Sequence, residues 1–255
     1  YSFAMPLSYT YTNAGAQLNY QVPFNFNRLS LSPKYKWITA HIGDAAMTFS
    51  PYTLAGHQFT GVGLELTPKS PLKFSAMYGR LLKAVAYDGN PNTIAAYKRM
   101  GYGSKLSYEK PKYKLGIIGF YAKDQLNSLS LLPTNPDIAP KENFVWSFSA
   151  ESQLSKELRL YGEYSNSTVT EDLRAERTGT KAGFILDKTA STQSFSAIKA
   201  GFDFKVNKLS LGSSFERIDP NYHTLGAYFF SNDLKNIMLN IANSFLKDKL
   251  TLSAN

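Results

Sequence analysis

The chain contains no cysteine and only three histidines among its 255 residues. The first absence excludes disulfides and thiolate metal sites, and says little about compartment. The histidines, His41, His57 and His223, are far apart and lack metal-ligand spacing. No run approaches the roughly 18 apolar residues of a membrane helix. Mean hydropathy is below zero, as in a soluble protein. A membrane barrel has the same average, because half of each strand faces a polar lumen. No signal peptide is read, since Tyr1 opens straight into strand-like sequence; an exported protein would have lost its leader already. What the chain does have is 17 Tyr, 17 Phe and a formal charge of +9.

The organising stretch runs from His57 to Ala84. Thr60, Val62, Leu64 and Leu66 alternate with Phe59, Gly61, Gly63 and Glu65. After Thr67-Pro68-Lys69-Ser70-Pro71, Leu72, Phe74, Ala76 and Tyr78 alternate with Lys73, Ser75, Met77 and Gly79. Strand side chains point alternately to opposite faces, so this is a hairpin with one apolar wall and one small, polar or charged wall. Proline in the connection cannot donate to a ladder and ends the pairing.

The unit recurs. Hairpins are expected over 29–49, turning at 33–36; over 97–123, turning at 109–112; and over 143–167, turning near Ser155-Lys156. Two more run over 195–217, turning at 205–208, and over 236–254, turning at 247–249. Residues 1–26 read as a further strand or two. Every tight turn carries lysine, whereas 88–93, 124–142 and 168–194 are long and rich in Pro, Asn, Ser and Thr. Alternating short turns and long loops mark an outer-membrane barrel, with periplasmic turns and extracellular loops. A soluble sandwich has no reason to sort its connections this way. Residues 231–250 also show apolar spacing that a helix would have, at Leu234, Ile237, Met238, Ile241 and Phe245. The strand reading is preferred because Lys247 to Leu252 repeats the turn pattern.

The expectation is an all-β protein: a transmembrane, antiparallel, up-and-down β-barrel of at least about 12 strands within a single domain spanning 1–255. Residues 1–28 are its least regular part. Asn255 falls in mid-strand without a terminal aromatic, so a barrel continuing beyond it is expected.

Little catalytic chemistry is visible. Ser50, His57 and Asp44 come nearest to a hydrolase constellation, with no nucleophile motif around them. Gly61-Val62-Gly63 and Gly101-Tyr102-Gly103 precede no helix and suit a bend in a barrel wall rather than a phosphate cradle. Glu171, Asp172, Arg174, Glu176 and Arg177 form a charged cluster, read as solvated loop. The aromatics fall with Leu and Ile on the apolar face, which suits lipid girdles and not nucleic-acid stacking. No cofactor and no nucleic-acid partner are expected. The inner wall gathers Arg99, Lys105, Lys114, Glu151, Arg159, Glu163, Lys199, Asp203 and Glu216. Such mixed charge either lines a water-filled path or forms an ion-paired network that fills the lumen.

Three stretches carry a resemblance: SPYTLAGHQFTGVGLEL (50–66), AYKRMGYGSKLSY (96–108) and ERIDPNYHTLGAYFFSNDLKN (216–236). Together they resemble large outer-membrane β-barrel proteins of Bacteroidota, over the chain from residue 30 onward. The resemblance implies export to the bacterial outer membrane and a longer barrel, and supplies no catalytic residues and no substrate. Two functions are expected to compete. One is a pore or transport-related channel set in outer-membrane lipid and lipopolysaccharide. The other is a loop-plugged barrel serving as scaffold or subunit of a secretion, protein-insertion or surface-display complex, with other outer-membrane proteins or lipoproteins as partners. The apolar, aromatic character of 222–233 suits a loop folded inward or against a partner. A membrane lipid hydrolase using Ser50 and His57 is a minor third.

Overall fold

A computed structural model describes residues 3–13, 21–24, 27–90, 93–129, 138–245 and 250–254. They form one sheet of fifteen strands. In chain order these are β1 (Phe3–Ala4), β2 (Leu7–Thr10), β3 (Arg28–Leu31), β4 (Lys34–Tyr35), β5 (Ile38–Thr48), β6 (Ala55–Leu66), β7 (Leu72–Leu82) and β8 (Arg99–Lys110). There follow β9 (Tyr113–Asp124), β10 (Glu142–Gln153), β11 (Leu158–Thr170), β12 (Thr192–Val206), β13 (Leu209–Ile218), β14 (Leu234–Phe245) and β15 (Leu250–Ala254). From β4 to β15 each strand pairs antiparallel with the next, an up-and-down meander. Among the described residues the one helical turn, Leu126–Ser128, lies in a connection.

The first four strands are two broken ones. Both β3 and β4 pair with β5, while β2 pairs with β3 and β1 with β4. The interruptions fall at Pro6 and Pro33, which lack the amide hydrogen a ladder needs. The carbonyls of both prolines still accept, from the amides of Ser32 and Ala40 at 3.0 Å each. Among the described residues, β15 and the β1–β2 strand are not paired with each other.

Within 231–250, open to a helical reading, Leu234–Phe245 is one strand, and its residues 234–243 pair with β13. Here alternation prevails over helical spacing because the neighbouring strand supplies a full ladder of partners. The hairpin connections 36–37, 67–71, 111–112, 154–157 and 207–208 share one rim and carry Lys36, Lys69, Lys112, Lys156 and Lys208. The sixth expected turn, 247–249, lies outside the described residues. At the opposite rim stand the described parts of the long connections 83–98, 125–141, 171–191 and 219–233, and the short one 49–54. Lys36 and Asn207 take up left-handed backbone, with φ of 55° and 50°, as tight hairpin turns require.

The convex face is apolar and bare. Val62, Tyr78, Tyr102, Ile117, Phe148, Ile198 and Ile237 all lie exposed on it, Ile117 at 60%. On β9, Tyr113 and Tyr121 bracket Leu115 and Ile117. At about 3.3 Å per residue and a tilt of about 40°, the two tyrosines stand roughly 20 Å apart along the membrane normal, against about 25 Å for the apolar band of a membrane barrel. Tyr102 packs on Tyr121 at 4.9 Å and Trp146 on Tyr164 at 5.5 Å near one edge of this band. At the turn rim Lys110 lies over the Tyr108 and Tyr113 rings, 5.6 and 5.9 Å from their centroids. Aromatics with lysine at an apolar band's edge suit the headgroup level of a bilayer.

The aromatics are not all on that face, however. Phe49, Phe59 and Phe120 are buried on the concave side with Ala45, Met47, Leu54, Met77, Leu81, Ile118, Ala122 and Leu225. These three phenylalanines depart from the expectation that the aromatics are lipid girdles, while Tyr102, Tyr113 and Tyr164 stand exposed on the outward face. On β9 both faces are apolar, so alternation alone does not show that Ile118 and Phe120 turn inward.

Four glycines stand in register across neighbouring strands: Gly43 opposite Gly61, Gly61 opposite Gly79, and Gly79 opposite Gly101. A methyl at Gly79 would come within 2.8 Å of the Phe59 ring, and one at Gly101 within 2.8 Å of Leu81 Cδ1. The row lets the wall bend over the aromatic cluster, as the glycine pairs suggested.

Candidate pore lining and inward loops

The nine inner-wall residues all lie on the concave face, and most are brought together. Ladder pairing sets Lys114 opposite Glu151, Arg159 opposite Asp203, Glu163 opposite Lys199, and Lys199 opposite Glu216. Arg159 bridges two strands, holding Glu151 Oε2 at 2.8 Å and Asp203 Oδ2 at 2.7 Å. Lys114 reaches Glu151 Oε1 at 3.0 Å, and Lys199 lies 3.7 Å from Glu216. Arg99 stands apart near the loop rim, in a bidentate pair with Asp124 at 2.8 and 2.9 Å. Asp124 is buried and also accepts from the Lys141 amide at 2.9 Å.

Lys105, Lys114, Glu151, Arg159, Glu163 and Lys199, with Tyr161 and Ser149, line a cleft of about 270 Å³. Of the two explanations for mixed charge, the ion-paired network is present along the cleft wall, and the cleft itself stays open.

Two loops fold onto the concave face above it. The connection 49–54 crosses from β5 towards the far wall. The Tyr52 hydroxyl donates to Glu216 on β13, and Lys105 Nζ donates to the Phe49 carbonyl at 2.7 Å. The connection 219–233 comes from the other side. Thr224 Oγ1 donates to the Thr53 carbonyl at 2.9 Å, and the Ala55 amide donates to the Gly226 carbonyl at 2.9 Å. The Tyr222 hydroxyl also meets the Tyr52 backbone.

Asn143, fully buried on β10, fastens this loop. Its Oδ1 accepts from the Leu225 amide at 3.0 Å while its Nδ2 donates to Ser167 Oγ at 2.8 Å and the Thr168 carbonyl at 3.0 Å. Ser167 Oγ in turn donates to the His223 carbonyl at 2.6 Å. Reading the sequence missed Asn143 and Ser167. An asparagine and a serine on a strand's polar face carry no sign that the groups they satisfy come from far along the chain. The apolar run 222–233 was the visible trace of the loop: Leu225 joins the aromatic cluster and Tyr222 packs with Tyr52, Ala197 and Ile218.

The charged cluster at 171–177 is more structured than a solvated loop. Asp172 and Arg174 pair at 2.8 Å. Glu171 takes Lys141 Nζ at 2.5 Å on one oxygen and lies 3.2 Å from His223 Nε2 through the other. These cations draw the Glu171 carboxyl down to about 2, His223 contributing more than Lys141. Glu171 correspondingly raises the His223 imidazole, against a smaller effect of burial. Burial raises the Tyr222 phenol, so it stays a neutral donor.

The hydrolase constellation is not assembled. His57 Nδ1 faces its neighbour's carbonyl, that of Gln58, at 2.6 Å, and its ring stacks on Tyr228 at 4.1 Å. Ser50 Oγ shares a hydrogen bond with Thr53 Oγ1 and accepts from the Tyr52 amide. Asp44 accepts from Thr60 Oγ1 at 2.5 Å and the Leu29 amide at 3.1 Å. Among the described residues no group of His, Asp and Glu has the arrangement of a metal site.

No family model matches the chain, and no curated protein matches it. Among solved structures it is similar to Pseudomonas aeruginosa OccK5 (OpdH), with 14% identity and a TM-score of 0.45 over 87% of this chain and 60% of that one. Acinetobacter baumannii OccAB3 gives 14% and 0.44 over 86% and 55%. Pseudomonas aeruginosa OpdK, solved with vanillate, gives 10% and 0.46 over 95% and 68%. The chain thus spans 60% and 55% of the length of the first two. These are distant likenesses, and no residue's role is carried over from them.

Proposed function

We propose that this chain forms the wall of a bacterial outer-membrane pore for small polar solutes, narrowed by its own loops 49–54 and 219–233. The observation that carries it is the two-sidedness of the sheet. Bare aliphatic and aromatic side chains cover the convex face, and paired charges line a cleft on the concave one. An apolar convex face of this extent is stable against lipid and costly against water, while charged groups on the opposite face need water or one another. The surrounding lipid, including lipopolysaccharide, is the partner that covers the outside. The reading is non-enzymatic.

The test is planar-bilayer recording of the full protein. Discrete conductance steps are expected, growing severalfold when 222–228 is replaced by a Gly-Ser linker. Silence from both proteins would overturn it.

One observation favours a second reading, a closed scaffold in an outer-membrane complex. Leu54 and Leu225 seal against Phe59 and Phe120 in an apolar cluster on the loop side of the concave face. In that case the native protein is silent in bilayers and retains other outer-membrane proteins through purification.

A further inference from the structure

Most charges lining the cleft are satisfied by each other. Lys114, Glu151, Arg159 and Asp203 form a closed set of two cations and two anions. Two opposite charges on the same cleft are left over. Glu163 accepts from Ser147 Oγ at 2.7 Å and Ser165 Oγ at 3.4 Å, and among the described residues no ion pair includes it. It belongs to a cross-strand row, Glu163–Lys199–Glu216, holding two carboxylates and one ammonium, whose nitrogen leans to Glu216. Lys105 is the converse. Its ammonium donates to the Phe49 carbonyl, and among the described residues no carboxylate lies within ion-pair distance of it. An ammonium has three donors and a carboxylate about four acceptor sites, so both groups keep bonding capacity directed at the cleft they line.

We propose that the cleft is a binding subsite for zwitterionic solutes of dipeptide size, the solute's ammonium facing Glu163 and its carboxylate facing Lys105. The inference rests on the pore reading and names the solute class. A simple anion or cation would satisfy one leftover group and leave the other as it was. A zwitterion satisfies both and adds no net charge to a wall already balanced. Lys105 also ties the site to the inward loops: the nitrogen that takes the carboxylate holds the Phe49 carbonyl at the start of 49–54. The test uses the full protein in detergent, with calorimetric titration by alanyl-alanine, N-acetyl-alanyl-alanine and alanyl-alanine amide. Each charge-assisted contact is worth about tenfold. Alanyl-alanine is therefore expected to bind about tenfold more tightly than either capped form. Glu163→Gln abolishes its advantage over the acetylated peptide, and Lys105→Met its advantage over the amide. Equal affinity for all three peptides, or preferences unchanged in both variants, overturns the proposal. Calorimetry needs no open channel, so discriminating binding by a protein silent in bilayers supports the subsite and sinks the pore reading alone. Conductance without discrimination does the reverse.

Discussion

The Tyr222 hydroxyl donates to the Tyr52 carbonyl at 2.8 Å, joining two loops whose residues are 170 positions apart. Both tyrosines are buried, so the bond lies where water does not compete for it. Tyr222→Phe leaves that carbonyl without its donor at a cost of about 1–2 kcal/mol. Amide exchange in 49–54 and 219–233 is expected to quicken by about tenfold or more, with exchange in β9 to β12 unchanged. Unaltered exchange in both loops would show that the apolar packing alone holds them.

Asn143 serves three groups at once, one of them the Leu225 amide of the inward loop. Asn143→Ala strips partners from buried polar groups and is expected to cost about 2–4 kcal/mol. Thermal unfolding in detergent measures this, and bilayer current noise should rise as 219–233 loosens. A Tm within a degree of the parent's, with quiet current, would contradict this.

Arg99, partly buried, pairs with the buried Asp124, their side-chain exposures being 14% and 3%. Removing one member leaves an uncompensated charge, so Arg99→Met is expected to cost about 3–5 kcal/mol. The double variant Arg99→Met with Asp124→Leu should recover much of that loss. A double-mutant cycle in denaturant reads the coupling; additive losses would mean that the pair acts through packing alone.

The Glu171–His223 contact gives a pH dependence. The His223 pKa is raised by Glu171. Its contribution is complete below the free imidazole value, about 6.5, and fades as pH rises through the higher folded value. The Glu171 pKa falls from 4.5 to about 2, so its part is complete above the first value and fades as pH drops towards the second. The loop 219–233 is therefore held best between the free carboxylate and free imidazole values, and loosens as pH rises through the raised value of His223. Protection factors in that loop, which remove the intrinsic pH dependence of amide exchange, should fall from acid to alkaline pH in the parent and not in Glu171→Gln.

Ile117 lies midway along β9, exposed on the convex face. Ile117→Arg is expected to cost about 2–4 kcal/mol of folding free energy in lipid bilayers, as a charge at the midplane does. Refolding into vesicles with denaturant titration reads it. A neutral outcome would remove lipid from that face.

The repeated hairpins were readable because alternation reports two different surroundings within neighbouring residues: Tyr78 and Tyr102 meet the outside while Met77 and Gly103 meet the inside. Even the ambiguous stretch at Leu234 was decided by a rule of local pattern. What stayed hidden depends on residues distant in the chain. The choice between an open path and an ion-paired lumen turned on Arg159 reaching Glu151 and Asp203 from a neighbouring strand on either side. The inward aromatics Phe59 and Phe120 break the expectation of a polar lumen because loop residues Leu54 and Leu225 cover them. Leu225 is far along the chain from both phenylalanines, and Leu54, just before β6, covers them only because the connection 49–54 folds inward.

The row of Gly43, Gly61, Gly79 and Gly101 makes a crease built from main chain alone. A crease needs no side chain to be in place first, so β5 to β8 can take their bend while the loops are still loose. The space along it is taken by Phe59 at Gly79 and by Leu81 at Gly101, side chains of the wall itself. A side chain at Gly79 or Gly101 would push into Phe59 or Leu81 and so disturb the cluster from the wall side.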